Sequence, residues 1–526
     1  MTTTNLFPRL ASWLLVLLGA GRTSALAAAP RPPNILMVFC DDLTMQAISA
    51  YQHPLKLLTT PHMDRLASQG MLFERCLVPN SICGPSRAVI QTGKYSHLNG
   101  FLSNRDRFNG AQQTFPKLLQ KAGYQTALIG KWHLESDPTG FDHWHILPGQ
   151  GIYYNPPMIR NGEQVTHQGY TTDLITDFSL EWLKQRDQSK PFLLMTQHKA
   201  PHGEWAPALR HLGWNEDRPF PEPATLFDDY SGRGRAEREQ DMSIAKSFTP
   251  RHTKETAPPY LNTAQRHLWD AYYEPRNARM RAANLTGRDL VRWRYQRYLH
   301  DYLGTVKAVD ESLGRLLQYL DDNGLAANTL VVLSSDQGFY LGEHGWYDKR
   351  WIYEQSVTTP LIVRWPGITA PGSRERAMVS VLDLPETFLD AAGVGVPANM
   401  QGRSLRPILA GRVPDDWRKS FYYHFYEYPG PNSVRRHYGV VTERYKLFHF
   451  YEPDMNYWTL IDRERDPNEL KNVYDDASYV EARQILQAEL QRLRTELKVP
   501  AEGASDTESP RRASGGGKKK ADGREE

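Results

Sequence analysis

The sequence predicts an α/β fold with a large, mostly parallel central sheet flanked by helices. The first observation is a set of short apolar runs, at residues 34–40, 124–129, 191–196 and 329–335. Runs of this length that are apolar almost throughout fit strands buried on both faces, which is typical of parallel sheets. The second observation is that segments with helical features separate these runs, as crossover connections between parallel strands require.

The helices are predicted from their start signals and their periodicity. Thr60 and Pro61 fit the N-cap and the first position of a helix over residues 60–67. Apolar side chains recur at helical spacing through residues 295–320, which predicts one long packing helix. Further helices are predicted at residues 114–122, 171–183 and 479–497 and from residue 382, and a further strand and turn at residues 360–367.

Length, charge and the N-terminus limit the class of protein. The chain has 526 residues and a net charge of +3, so it is long enough for a large and a smaller domain, and bulk charge does not predict nucleic-acid binding. Residues 1–27 resemble a signal peptide, with Arg9 before an apolar run and small residues at its end. That run is too short to favour a membrane span, so we expect a periplasmic or secreted protein.

The pattern of strands and helices suggests a division of the remaining chain. Residues 28–410 are predicted to form a large domain, and residues 411–500 a smaller α+β subdomain of short strands and one charged helix. Residues 501–526 are rich in Gly, Ser, Lys and acidic residues, which predicts a disordered tail. The three cysteines exclude a disulfide framework; Cys40 and Cys76 could pair or remain separate buried thiols.

Polar residues follow each of the buried strands. Asp41 and Asp42 follow the first run, and Asp336 and Gln337 follow the last. The carboxyl ends of strands are where open α/β sheets bind their ligands. Adjacent carboxylates repel, so their oxygens predict a hard cation, calcium first and magnesium second; an Asp pair that caps the next helix is the alternative.

The segment around Cys83 carries a second group of polar residues. Gly84 and Pro85 predict a tight turn, and the apolar run after Arg87 predicts the start of a helix. A helix N-terminus beside an arginine attracts anions, so Cys83 is expected where an oxyanion would be held. A buried thiol at a turn is the alternative.

Two motifs resemble the signatures of one enzyme family. Residues 83–87, followed by Thr92-Gly93-Lys94, resemble the Cys-x-Pro-Ser-Arg signature of type I sulfatases of the alkaline phosphatase superfamily, and residues 130–133 resemble the second signature. The resemblance extends over residues 34–475. It implies an alkaline-phosphatase-like fold and a formylglycine made from Cys83 by formylglycine-generating machinery.

The resemblance also implies roles for individual residues. The implied catalytic groups are Cys83, Arg87, Lys131, His133, His202 and Lys349. The implied metal ligands are Asp41, Asp42, Cys83, Asp336 and Gln337, where Gln337 departs from the Asn or His more usual in the family.

Three further segments are similar to bacterial exo-sulfatases that act on N-acetylglucosamine 6-sulfate, at residues 141–151, 345–350 and 422–438. We therefore expect Asp348, Arg350 and His437 to bind hydroxyl groups of a sulfated carbohydrate, with loop salt bridges and helix caps as the alternative. The competing functions are a phosphonate or phosphate monoester hydrolase of the same superfamily, and a catalytically silent sulfoglycan-binding protein.

Overall fold

The computed structural model describes residues 1–3, 32–216 and 218–501. Residues 4–27 of the predicted signal peptide and residues 502–526 of the predicted tail lie outside the described residues. Within the described part, no helix is both long enough and apolar enough to cross a membrane.

The described residues contain a large sheet of eleven strands, which confirms the predicted fold class. The strands are β1 (Asn34–Cys40), β2 (Met71–Leu77), β3 (Gln125–Lys131), β4 (His143–Leu147), β5 (Pro157–Arg160), β6 (Glu163–Thr166), β7 (Phe192–Gln197), β8 (Thr329–Ser335), β9 (Thr358–Arg364), β10 (Ser373–Glu375) and β11 (Val379–Ser380). They run in the order β10-β2-β9-β8-β1-β7-β3-β4-β5-β6, with β11 also paired to β2.

The centre of the sheet is parallel, because β8, β1, β7 and β3 all run in the same direction. Their carboxyl ends therefore lie along one edge of the sheet. Antiparallel pairings are confined to β9 and to the β4–β5–β6 side. Every residue of β1 and β8 is buried, as their apolar sequences require.

The four predicted central strands are all present. Residues 34–40 and 329–335 match β1 and β8. The other two strands start one residue later than predicted and continue to Lys131 and Gln197. These polar residues remain in the sheet because Gly130 still pairs with Gln197 there. Hydrophobic pattern alone does not include such residues in a strand.

Helices cover the sheet and connect its strands. They are α1 (Pro61–Gln69), α2 (Cys83–Thr92), α3 (Ser96–Asn99), α4 (Phe115–Lys121), α5 (Thr171–Gln185), α6 (Arg235–Glu239), α7 (Thr263–Ala283), α8 (Gly287–Asp322), α9 (Glu354–Val357), α10 (Leu384–Ala391), α11 (Arg406–Leu409) and α12 (Val480–Glu496). The long helix predicted over 295–320 lies inside α8.

One local prediction differs from the structure. Gly84 and Pro85 do not form a turn ahead of a helix, because α2 already begins at Cys83. Proline is tolerated in the first helical turn, where its missing N–H has no partner within the helix. The consequence is that Cys83 itself occupies the helix N-terminus.

The C-terminal region forms a separate four-stranded antiparallel sheet. Its strands follow in chain order as β12 (Ser420–Phe425), β13 (His437–Thr442), β14 (Tyr445–Glu452) and β15 (Met455–Asp462), and α12 packs on them. The domain boundary at residue 410 stays a prediction. Cys40 and Cys76, whose pairing the sequence left open, are free buried thiols.

Candidate active site

Polar side chains from neighbouring strands meet at the carboxyl edge of the large sheet. Asp41 and Asp42 follow β1, Lys131 ends β3, and Asp336 and Gln337 follow β8. The chain folds this way because β1 lies between β8 and β7 in a parallel arrangement, with β3 next to β7. Residues that are 295 positions apart, such as Asp42 and Gln337, therefore come within hydrogen-bonding distance.

The three carboxylates at this edge are buried, and each lies against a cationic side chain; Asp41 also lies 3.9 Å from Arg87 Nη2. Lys349 Nζ donates to Asp42 Oδ2 at 2.8 Å. The other pairs are Lys131 with Asp41, and Arg87 with Asp336 through Nε at 3.1 Å and Nη2 at 2.9 Å. These cationic partners offset part of the cost of burying three carboxylates side by side.

The same carboxylates fit a hard metal ion. Ligand oxygens of Asp41, Asp42 and Asp336 lie within 4.8 Å of one another. Asp41 Oδ1 and Gln337 Oε1 are buried and have no hydrogen-bond partner among the residues that the structure describes, an arrangement that costs about 1–3 kcal/mol per atom. Burial and the neighbouring Asp41 and Asp42 raise the pKa of Asp336 to about 8. A divalent cation bound by these oxygens would satisfy the two unpartnered atoms and relieve the repulsion.

Cys83 and Arg87 approach this cluster from α2. They are one helical turn apart and therefore lie on the same face of the helix. Cys83 Sγ lies 3.9 Å from Gln337 Nε2, and Arg87 Nη1 donates to Gln197 Oε1 at 2.7 Å. Burial raises the pKa of Cys83 well above its usual range, so the unmodified thiol is protonated and is a weak nucleophile.

The first turn of α2 is closely packed around Gly84. A Cβ atom at this position would lie 2.6 Å from the ring of Phe101 and 2.9 Å from Asn104 Oδ1. The backbone N–H of Gly84 donates to that same Asn104 oxygen at 2.9 Å. A side chain at residue 84 would therefore require Phe101 and Asn104, or the helix turn that carries Cys83, to shift.

The two predicted catalytic histidines lie beside the lysines; His133 is buried and the His202 side chain is 15% exposed. His202 Nε2 lies 3.9 Å from Asp42 Oδ2, and its Nδ1 lies 3.2 Å from the carbonyl oxygen of Gly203. Burial and the nearby Lys131 lower the pKa of both His202 and His133 well below the usual value, so both rings are neutral. His133 Nδ1 has no hydrogen-bond partner within the described residues. The backbone leaves the extended conformation at His133, where φ is +52°.

Asp348 and Arg350 flank Lys349 and extend the site. Asp348 Oδ1 lies 3.3 Å from Lys349 Nζ, and Arg350 Nε donates to Asp348 Oδ2 at 2.8 Å. Both residues have positive φ, +74° and +90°. Left-handed backbone is costly for such residues and is concentrated at functional sites, where the surrounding contacts enforce it. The two side chains are thus held in fixed positions beside the lysine.

The structure places His437 differently from the prediction. The ring is fully buried on β13, its Nδ1 lies 2.8 Å from the carbonyl oxygen of Arg435, and its Nε2 accepts the N–H of Ile352 at 3.2 Å. Backbone groups therefore use both ring nitrogens, and neither is left for a sugar hydroxyl. His437 instead supports the segment that follows Arg350, because its ring accepts the backbone N–H of Ile352.

Sequence patterns did not identify Glu427 as part of the site. Its Oε1 lies 3.3 Å from Arg350 Nη1, and its Oε2 accepts the N–H of Asn104 at 2.8 Å. Through Asn104 it is connected to Gly84 at the N-terminus of α2. No motif marks this connection, because its members come from four distant parts of the chain.

His252 is a second site residue without a sequence signal. It lies in the Arg- and Pro-rich region 205–293, with its ring centroid 5.4 Å from Trp205 and 5.5 Å from Tyr347. These aromatic residues belong to the segments that carry His202 and Asp348. His252 Nδ1 accepts the N–H of Thr249 at 3.0 Å, which places the ring proton on Nε2. Burial lowers the pKa of His252 to about 4, so the ring is neutral.

Comparisons with known protein families match most of the chain. The family model described as Sulfatase matches residues 33–394. The model described as N-sulphoglucosamine sulphohydrolase, C-terminal, matches residues 342–496. The second match overlaps the first and includes the antiparallel sheet.

Individual proteins with similar sequences cover nearly the whole chain. An N-acetylglucosamine-6-O-sulfatase of Bacteroides thetaiotaomicron is 48% identical over 487 residues, which cover 89% of this chain and 87% of that protein. Human N-acetylglucosamine-6-sulfatase is 28% identical and covers 77% of this chain and 69% of its own length. A solved structure, described as a complex with its substrate D-glucosamine-2-N,6-O-disulfate, has a TM-score of 0.87 at 47% identity, over 91% of this chain and 100% of that one.

Proposed function

Because this chain belongs to the sulfatase family and is a sulfuric ester hydrolase, we propose that it removes the 6-O-sulfate from a terminal glucosamine unit of a sulfated glycan. The reaction consumes one water and releases the sugar alcohol, sulfate and a proton. The observation that carries the proposal is the convergence of Cys83 with buried cationic groups at one sheet edge. The substrate choice is supported by the 48% identical relative and by the similar structure that holds a 6-O-sulfated glucosamine.

The nucleophile is assigned to Cys83 after its oxidation to formylglycine. The hydrated aldehyde supplies one hydroxyl to attack sulfur and a second whose deprotonation expels sulfate. Cys83 is fully buried in the folded chain, so we propose that the maturation machinery acts before folding. That order agrees with the predicted signal peptide and with a periplasmic or secreted location.

The metal site is assigned to calcium, with magnesium second. Asp41, Asp42, Asp336, Gln337 and the modified Cys83 would hold the ion, which would supply positive charge beside the nucleophile and the sulfate oxygens. The unpartnered Asp41 Oδ1 and Gln337 Oε1 support this assignment.

The remaining groups bind the sulfate and move protons. Lys131 and Lys349 are the ammonium groups assigned to the sulfate oxygens, and Arg87 fixes Asp336 on the opposite side. His202 donates its Nδ1 proton to the Gly203 carbonyl, which leaves Nε2 to exchange a proton at the leaving oxygen. His133, neutral and with Nδ1 unpartnered, is assigned to accept a proton from the second hydroxyl.

The sugar is assigned to the side of the site that carries Asp348 and Arg350. Their exposed fractions are only 7% and 6%, so the sugar must enter a deep site. A deep site accepts the end of a glycan more readily than an internal unit. We therefore propose exo-action on a chain terminus.

A panel of defined sulfate esters tests the proposal. We expect sulfate release from N-acetylglucosamine 6-sulfate and glucosamine 2-N,6-O-disulfate, with slower release from N-acetylgalactosamine 6-sulfate and from an aryl sulfate. An aryl phosphate turned over faster than the aryl sulfate would contradict the reaction class. Cys83→Ala should be folded and inactive, and the mass of the wild-type peptide spanning Cys83 should correspond to an aldehyde; an unmodified thiol in an active enzyme would contradict the nucleophile.

A further inference from the structure

A cavity of about 400 Å³ lies between the loop at Phe220 and the helices α7 and α8. Trp293, Arg297 and His300 line it from one side of α8. Tyr298 and Tyr302 lie on the opposite side of that helix, and Tyr302 Oη donates to the backbone carbonyl of Asp42. The cavity is therefore separate from the catalytic site, and nothing described so far uses it.

Arg297 is the unusual residue in this cavity. Its exposed fraction is 8%, and among the described residues it has no carboxylate partner and no hydrogen-bond acceptor. Its Nη1 atom is buried and unpartnered. Its guanidinium lies 5.0 Å from the ring centroid of Tyr273 and 5.4 Å from that of Trp293. These aromatic contacts offset part of the cost of burying the charge but provide no acceptor for its N–H groups.

Among the described residues around the cavity, the charges leave an excess of positive charge. Asp301 is a buried carboxylate that acts on Arg297, but it already has three partners: Lys254 at 3.4 Å, the hydroxyl of Tyr273 at 2.7 Å and His300 Nδ1 at 3.1 Å. Glu204, the other carboxylate near Lys254, is paired with Arg251 at 3.3 Å. Lys254 and Arg297 therefore carry two positive charges against the single negative charge of Asp301. Arg276, which also lines the cavity, is neutralised by Glu216. An anion entering the cavity would balance the remaining charge.

We propose that this cavity is a second ligand site, which takes the sulfate or carboxylate group of an anionic saccharide against Arg297. The planar guanidinium suits oxyanions with two acceptor atoms, and the partly exposed face of Trp293 suits a sugar ring. The saccharide part rests on the proposed function, whereas the anion part does not. The site would hold a further unit of the glycan away from the catalytic centre.

Calorimetric titration of full-length Cys83→Ala in sulfate-free buffer tests the site. The probes are inorganic sulfate, glucuronate, N-acetylglucosamine 6-sulfate and neutral N-acetylglucosamine. We expect two binding events for the sulfated sugar and none for the neutral one at the Arg297 site. Adding Arg297→Gln should weaken one event about tenfold or more and leave the other in place. Arg292→Gln, an exposed arginine on the same helix, is the matched control and should change neither.

The outcomes separate the parts of the proposal. If both binding events for N-acetylglucosamine 6-sulfate keep their affinities when Arg297→Gln is added, the proposed site is overturned. If that variant does not fold, Trp293→Leu replaces it, and an unchanged affinity for the sulfated sugar there would overturn the site equally. If Arg297 is required for binding inorganic sulfate, and neither glucuronate nor N-acetylglucosamine 6-sulfate binds more tightly than inorganic sulfate, the saccharide part of the proposal is overturned. If the Cys83→Ala protein shows Arg297-dependent binding but the wild-type protein is inactive on every sulfate ester, this site is upheld and the proposed function is refuted.

Discussion

Replacing Glu427 with alanine should weaken both the fold and the selection of sugar substrates. The change removes the carboxylate that holds Arg350 at 3.3 Å and that accepts the N–H of Asn104 at 2.8 Å. Arg350 keeps Asp348 as a partner at 2.8 Å, so its charge is not left unpaired. The loss of folding free energy should therefore lie at the lower end of the 3–5 kcal/mol typical of breaking a buried pair, roughly 3 kcal/mol with the lost backbone hydrogen bond included.

The effect on activity should depend on the substrate. Without Glu427, Arg350 has one fixed partner instead of two, and the guanidinium becomes mobile on the sugar side of the site. We expect kcat/KM for N-acetylglucosamine 6-sulfate to fall about 10- to 100-fold, which corresponds to about 1.4–2.7 kcal/mol. An aryl sulfate has no sugar hydroxyls, so its kcat/KM should fall only a few-fold.

Urea unfolding and steady-state kinetics on both substrates check this prediction. Glu427→Gln keeps the size and an acceptor oxygen, so it should recover most of the stability and part of the sugar activity. Asn104→Ala keeps the backbone N–H for Glu427 but removes the acceptor for Gly84, so it should affect both substrates equally. Equal losses on both substrates in Glu427→Ala would refute the link between Glu427 and sugar binding.

Three other predictions concern the metal, His252 and His437. Exhaustive chelation should abolish aryl sulfate hydrolysis, and calcium should restore it; full activity in a protein free of metal by elemental analysis would exclude the cation. We infer that His252 Nε2 donates a hydrogen bond to the sugar, because the ring packs on Trp205 and Tyr347 in the segments that carry His202 and Asp348. His252→Phe keeps this packing but removes the donor, so KM for the sulfated sugar should rise about tenfold while kcat and the kinetics with the aryl sulfate stay unchanged. An equal effect on the aryl sulfate would contradict the sugar contact. Burial lowers the pKa of His437 from 6.5 to about 4, so the unfolded state binds the extra proton between these values and stability falls as the pH drops. Wild type should lose about 2 kcal/mol more than His437→Phe between pH 7 and pH 5 in urea unfolding, and a constant difference would contradict the buried neutral ring.

The sequence by itself determined the parallel core and the chemistry of its edge. Short, almost wholly apolar runs such as residues 34–40 are typical of strands with both faces covered, and neighbouring parallel strands present their carboxyl ends at one edge of the sheet. The polar residues that follow those runs, Asp41 and Asp336 among them, therefore had to meet. Local motifs were sufficient here because each motif is contiguous with the strand that positions it.

Only the tertiary structure decided which side chains support the site. Glu427 and His252 come from the C-terminal sheet region and from the irregular region 205–293, where no periodicity links them to the strand ends. His437 has a suitable side chain for sugar binding, but the pairing of β13 buries its ring against backbone groups of Ile352 and Arg435. Side-chain contacts between segments distant in sequence depend on how the two sheets pack, and that packing is not encoded in any one segment.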